Sequence, residues 1–145
     1  MPQDIEPDTI LAVDDDPRIL NLIGVTIKFA GLNAETTQDP HEALETYDTN
    51  AQKIPVVVTD RDYKLHDING DRFAELIRQR ANTNQPPLNV RIIMVTADSL
   101  NSDDEERIKS RGVDVIIYKP FSPRRLQAEI IAGRDQFSII QSIHP

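Results

Sequence analysis

Three acidic side chains close an apolar run: Ile10, Leu11, Ala12 and Val13 lead into Asp14, Asp15 and Asp16, and then Pro17. Four apolar residues in succession fit a buried strand. Carboxylates gathered at its end repel one another, and each raises its neighbours' pKa unless a cation stands between them. A hard divalent cation such as Mg²⁺ meets that need, since it takes oxygen ligands and one or two carboxylates suffice. Asp16 has a plainer use, because a carboxylate directly before Pro17 is good N-cap chemistry for a helix. Asp14 and Asp15 come before the cap is needed, which leaves them for other chemistry.

Further polar residues end later apolar runs. Asp60 follows Val56, Val57, Val58 and Thr59; Thr96 follows Ile92, Ile93, Met94 and Val95; Lys119 follows Ile116, Ile117 and Tyr118 and precedes Pro120. Taken singly, a polar residue at a strand end marks only where the chain meets water. At corresponding positions, however, these residues bring three carboxylates, one hydroxyl and one ammonium to a single edge.

The elements that must position them read as five βα units. Residues 10–13 form the first strand, and Leu20, Ile23, Ile27 and Ala30 recur at helical spacing until Gly31. Residues 32–36 read as a short, weaker strand, and a helix from Pro40 should end near Asn50. The β-branched run from Val56 is a third strand. Phe73, Leu76 and Ile77 mark a helix expected to end before Asn82, with residues 82–89 as loop around Pro86 and Pro87. Residues 91–96 are the fourth strand, 103–111 a charged helix closed by Gly112, 113–118 the fifth strand, and Leu126, Ile130 and Ile131 mark the last helix. Strands this apolar, separated by helices, call for a parallel sheet covered on both faces. In such α/β sheets the ligand site lies beyond the C-terminal strand ends.

Composition narrows the function classes. The chain has 145 residues, a net charge of −8 and a pI of about 4.8, which argue against a nucleic-acid or anionic-membrane surface. There is no cysteine, so disulfide scaffolds and thiolate chemistry are excluded. No apolar stretch approaches the ~18 residues of a membrane span, and the acidic N-terminus is unlike a signal peptide. A cytoplasmic protein is expected, with residues 1–8 disordered, one domain over 9–135, and 136–145 extending the last helix or forming a tail.

With these motifs in view, the chain resembles the receiver domain of the two-component response-regulator family over about residues 9–135. The stretches that carry the likeness are Ile10 to Pro17, Val56 to Asp60, Asn69-Gly70, Ile93-Met94-Val95-Thr96-Ala97 and Tyr118-Lys119-Pro120-Phe121. The resemblance implies a flavodoxin-like α/β fold, a five-stranded doubly wound parallel sheet of order 2-1-3-4-5. It also implies transfer of a phosphoryl group from a phosphohistidine, on a sensor histidine kinase or phosphotransfer protein, to an aspartate here. Mg²⁺, for which Mn²⁺ could substitute, would be held by Asp14, Asp15, the acceptor carboxylate and the backbone carbonyl of Asp62. Lys119 would add positive charge, aimed inward by a cis bond to Pro120. Thr96 would donate a hydrogen bond to the phosphate, and Ala97 would leave it room. The chain would be a phosphoacceptor with self-phosphorylation and self-dephosphorylation chemistry rather than an enzyme acting on other substrates. With no output domain in this sequence, the signal would leave through contacts with an unknown downstream protein.

Asp60 and Asp62 compete for the acceptor role. Asp60 directly follows its strand, whereas choosing Asp62 would place Thr59, Asp60 and Arg61 inside a central, doubly covered strand. Such burial costs several kcal/mol unless the charges are paired. Spacing to Gly70 favours Asp62, and Asp60 leaves the loop two residues longer than the family's usual one; loop closure tolerates that at a few tenths of a kcal/mol. Asp60 is therefore the preferred acceptor and Asp62 the runner-up.

Some positions depart from the family pattern. Ile116 stands where an aromatic switch residue is usual, and the aromatic is Tyr118. His66 reads as an ordinary surface residue without a partner. The run Asp103, Asp104, Glu105 and Glu106 suits the first turn of a helix, where carboxylates favour the dipole. Gly133 interrupts the last helical pattern, and beyond it Phe137, Ile139, Ile140 and Ile143 call for either a further packed turn or a homodimer or partner contact. Two rival readings remain: a degenerate receiver acting as a phosphorylation-independent binding module, and a phosphatase of the haloacid-dehalogenase type. The second resembles Asp60-Arg61-Asp62 as a nucleophile motif but places its acidic pair in the reverse chain order.

Overall fold

The computed structural model describes residues 5–64 and 66–143, with side chains described up to residue 137. Five strands, β1 (Thr9–Val13), β2 (Asn33–Thr37), β3 (Val56–Asp60), β4 (Arg91–Thr96) and β5 (Val115–Tyr118), alternate with five helices. The helices are α1 (Pro17–Phe29), α2 (Pro40–Asn50), α3 (Gly70–Thr83), α4 (Ser102–Ser110) and α5 (Pro123–Ile143). All neighbouring strands are parallel and stand in the order β2-β1-β3-β4-β5, the doubly wound arrangement expected.

Strand alternation divides the core between the two faces. Leu11, Val13, Val57, Ile92, Met94 and Ile116 join one buried cluster with Phe73 and Ile77 of α3. Ile10, Ala12, Val56, Val58, Ile93, Val95 and Ile117 join the other, with Ile23 and Ile27 of α1 and Leu126 and Ile130 of α5. Both faces of β1 and β3 are thus apolar, and the strand ends carry the polar residues. Helix starts follow local capping chemistry: Asp16, Asp39 and Asn69 each accept a backbone N–H in the first turn of α1, α2 and α3.

Several boundaries differ from the sequence expectation for identifiable reasons. Helix α3 runs through Asn82 to Thr83, because the restraint of Pro86 reaches only to the residue before it. Strand β5 begins at Val115, since Asp114 turns its carboxylate onto the Ile92 N–H at 2.8 Å. Gly133 does not interrupt α5. A Cβ there would stand 2.7 Å from Val56 Cγ2 and 2.9 Å from Arg91 Cβ, so glycine lets α5 lie close on the sheet. Helix α5 continues to Ile143 and buries Phe137, while 144–145 lie outside the described residues. At the other end, residues 1–4 of the segment expected to be disordered also lie outside them. Residues 5–8 are placed: Ile5 is buried in the core and its N–H donates to Asn50 Oδ1.

Candidate functional site

The C-terminal ends of β1, β3, β4 and β5 open onto a cleft of about 440 Å³ lined by Asp14, Asp15, Asp60, Asp62, Thr96 and Lys119, among others. Register places them there. Val13 pairs with Thr59, Asp60 with Val95, and Thr96 with Tyr118, so residues one step past the ladder converge. One carboxylate oxygen each from Asp14, Asp15 and Asp60 lies within 4.8 Å of the others, the one such cluster among the described residues. Three hard oxygen donors at that spacing suit Mg²⁺.

Lys119 is the cation between them. Its Nζ donates to Asp14 Oδ2 at 3.0 Å and to Asp60 Oδ1 at 3.2 Å. The Lys119–Pro120 bond is cis, as the resemblance implied, and the Lys119 N–H donates to the Thr96 carbonyl at 2.7 Å. Burial, followed by the neighbouring charge of Asp14, pushes the Asp60 carboxyl up to about 6 against the pull of Lys119. Asp14 is also raised, mainly by burial. Burial alone would lower the Lys119 ammonium, but Asp14 and Asp60 hold it above the ordinary lysine value. The site therefore carries charge that only a tight pairing, or a bound cation, balances.

Backbone groups fix the acids. Asp14 Oδ1 accepts the Asp16 N–H at 2.9 Å, and Asp15 Oδ2 accepts the Lys64 N–H at 2.9 Å, which ties β1 to the β3–α3 loop. Asp60 Oδ1 accepts the Arg61 N–H at 2.8 Å. Asp16 caps α1, as its position before Pro17 indicated. Asp62 lines the cleft but is not one of the clustered carboxylates.

The profile of the response regulator receiver domain family matches residues 10–131. The chain belongs to that family. It is 30% identical over 118 residues to the signal transduction histidine-protein kinase BarA of Escherichia coli, covering 81% of this chain and 12% of that protein. It is 35% identical over 129 residues to the phosphate regulon transcriptional regulatory protein PhoB of Pseudomonas aeruginosa, covering 86% of this chain and 50% of that one. The heme response regulator HssR of Staphylococcus aureus is 32% identical over 130 residues, with coverage of 89% and 52%. This receiver chain thus spans about half of the two regulators and a small part of the kinase. Among solved structures, a response regulator receiver domain protein from Clostridium thermocellum superposes with a TM-score of 0.78 at 20% identity, covering 91% of this chain and 98% of that one. A second, CheY-like receiver from Methanospirillum hungatei gives 0.73 at 25% identity, covering 92% and 98%.

Several residues of this receiver escaped the sequence reading. Tyr63 is buried with only 3% of its surface exposed, stacks edge-on to Phe73 and hydrogen-bonds Thr59 through its hydroxyl. The loop is thus anchored, not free at the surface. His66 is not isolated: its Nδ1 stands 3.8 Å from Asp39 Oδ1 and its ring meets Tyr63 edge-on. Arg61 bridges Asp71 and Asp98. Ile116 is packed in the core, while Tyr118, half exposed, hydrogen-bonds Glu105 on α4 through its hydroxyl. The acidic run indeed opens α4, where Asn101 and Asp104 form a reciprocal capping box. No helix among the described residues is long and apolar enough to cross a membrane.

Proposed function

We propose that this receiver accepts a phosphoryl group on Asp60 from the phosphohistidine of a sensor histidine kinase or phosphotransfer protein. The observation that carries this reading is the meeting of Asp60, Lys119 and Thr96 in one cleft beside Asp14 and Asp15. A carboxylate oxygen of Asp60 attacks phosphorus, the N–P bond to the donor imidazole breaks, and that imidazole leaves. Charge spread over the equatorial phosphoryl oxygens makes positioning and electrostatics the main contributions of the protein. Lys119 supplies fixed positive charge, and Thr96 has a hydroxyl to donate to the new phosphate. Ala97, a small residue, also lines the cleft and leaves it open.

Asp14, Asp15 and Asp60, with the backbone carbonyl of Asp62, would hold Mg²⁺ or Mn²⁺. When bound, that ion neutralises charge on the phosphoryl oxygens. One phosphoryl group per chain, not steady turnover of a substrate, is the expected stoichiometry, and the modified surface would then be read by a protein partner. Incubation with phosphoramidate and Mg²⁺, followed by intact-protein mass spectrometry, tests the reading. One hydroxylamine-labile phosphoryl adduct is expected. No adduct would favour a binding module that works without phosphorylation, and continuous phosphate release from a phosphomonoester would overturn the assignment.

A further inference from the structure

Arg61 follows Asp60 directly, and its guanidinium has three bonds to two acids. Nε and Nη2 donate to the two oxygens of Asp71 at 3.1 and 3.3 Å, and Nη1 donates to Asp98 Oδ2 at 3.1 Å. Asp71 is buried in the first turn of α3, where a carboxylate is also favoured by the helix dipole. It is a fixed anchor. Asp98 lies two residues beyond Thr96, in the connection to α4, with its side chain 46% exposed. Its backbone N–H donates to Thr96 Oγ1 at 3.0 Å. Thr96 and Asp98 both line the cleft beside Asp60.

These bonds form one chain from the rigid start of α3 to the Thr96 hydroxyl. A hydroxyl whose oxygen already accepts one N–H keeps its own hydrogen for another partner. We propose that Arg61 is a positioning residue: by bridging Asp71 to Asp98 it holds the β4–α4 connection so that Thr96 presents its O–H to the arriving phosphoryl group. The proposal rests on the phosphoacceptor reading. The half-exposed Asp98 arm adds little stability, since surface ion pairs contribute little; its effect is on geometry. Arginine suits the task because its planar fork binds one carboxylate bidentately and reaches a second, whereas lysine offers a point charge.

The simpler alternatives are that Arg61 only offsets charge at the cleft, or only stabilises α3. Four full-length proteins separate them: native, Asp98→Ala, Arg61→Lys and the double variant. Asp98→Ala leaves the Arg61–Asp71 pair in place, so it tests the bridge even if changes at Arg61 disturb folding. The readouts are the adduct formation rate at saturating phosphoramidate, the Mg²⁺ concentration giving half that rate, and amide hydrogen exchange at position 98 by NMR. Each single variant is expected to lower the saturated rate about five- to tenfold, the double variant no further, since residues acting through one bridge are non-additive. The half-saturating Mg²⁺ concentration should stay unchanged, and exchange at position 98 should accelerate in both single variants.

A charge-only role would make Asp98→Ala faster than native and leave Arg61→Lys unaltered, which overturns the proposal. A stability-only role would lower the melting temperature with rate and exchange unmoved, which also overturns it. If the native chain takes up no phosphoryl group, the phosphoacceptor reading fails instead. Exchange at position 98 then decides the clamp alone: unchanged protection in both variants refutes it.

Discussion

Gly70 is pressed against the backbone of Asp60: a Cβ built on Gly70 would stand 2.0 Å from the Asp60 carbonyl oxygen and 2.6 Å from Arg61 Cα. The Gly70 N–H donates to the Arg61 carbonyl at 2.6 Å, so the start of α3 seats directly on the end of β3. Glycine is required here for close approach, not for a special φ. Gly70→Ala should cost about 2–4 kcal/mol in urea unfolding, because the obstacle is backbone and overpacking cannot be relieved by a rotamer change. It should also slow phosphoryl uptake. Unaltered stability would mean that the β3–α3 junction yields more easily than its contacts indicate.

Lys119 acts with opposite signs on structure and on metal binding. Lys119→Met leaves Asp14 and Asp60 facing each other without their shared cation, and the metal-free protein should lose about 2–4 kcal/mol. Mg²⁺ should bind more tightly by calorimetric titration, since no ammonium then competes for the carboxylates. The phosphoryl uptake rate should nevertheless fall by about 10²-fold or more, as expected for removing a fixed charge from the transition state. Weaker Mg²⁺ binding together with a normal rate would contradict both roles.

The raised Asp60 carboxyl has a definite consequence for stability. Its folded pKa of about 6 lies above the ordinary value of 3.8, so the folded state binds this proton more tightly than the unfolded one. Its stabilising contribution is present below the ordinary value and is lost as pH rises through about 6. In EDTA at about pH 7.5, Asp60→Asn should therefore exceed the native chain by about 1–3 kcal/mol, and the advantage should shrink towards zero near pH 4. Denaturant titrations across that range measure it. An advantage that grows on acidification would reverse the assigned shift.

Tyr63 ties the loop between Asp60 and Gly70 to the core. Tyr63→Phe keeps the packing on Phe73 and removes one hydroxyl from Thr59, which retains a bond to the Asp60 carbonyl at 2.8 Å. It should cost only about 0.5–1.5 kcal/mol. Tyr63→Ala should cost about 3–5 kcal/mol, as for other buried aromatics. Equal losses from the two variants would mean that the hydroxyl pair, not the ring, holds the loop.

The fold was readable because its signals are local and repeated. Apolar strands such as Val56-Val57-Val58, each bounded by a helical period, leave few alternatives to a doubly wound sheet, and strand-end residues map the cleft. What stayed hidden depends on tertiary placement. Tyr63 sits among Asp62, Lys64 and His66, a polar context that reads as surface, and only the fold carries its ring beneath the loop. Gly133 looks like a helix breaker until Val56 and Arg91 are seen beneath it. Arg61, Asp71 and Asp98 are separated by ten or more residues in sequence, so no spacing rule joins them. The adjacency of Arg61 to Asp60 was the one available signal.

Intact-protein mass spectrometry decides whether Asp60, and not Asp62, takes the phosphoryl group. Native chain, Asp60→Asn and Asp62→Asn are each incubated with phosphoramidate and Mg²⁺. One phosphoryl adduct on the native chain and on Asp62→Asn, absent from Asp60→Asn, is the predicted result. Loss of the adduct in Asp62→Asn alone would contradict the assignment and make loop spacing a better guide than the strand-end position of Asp60.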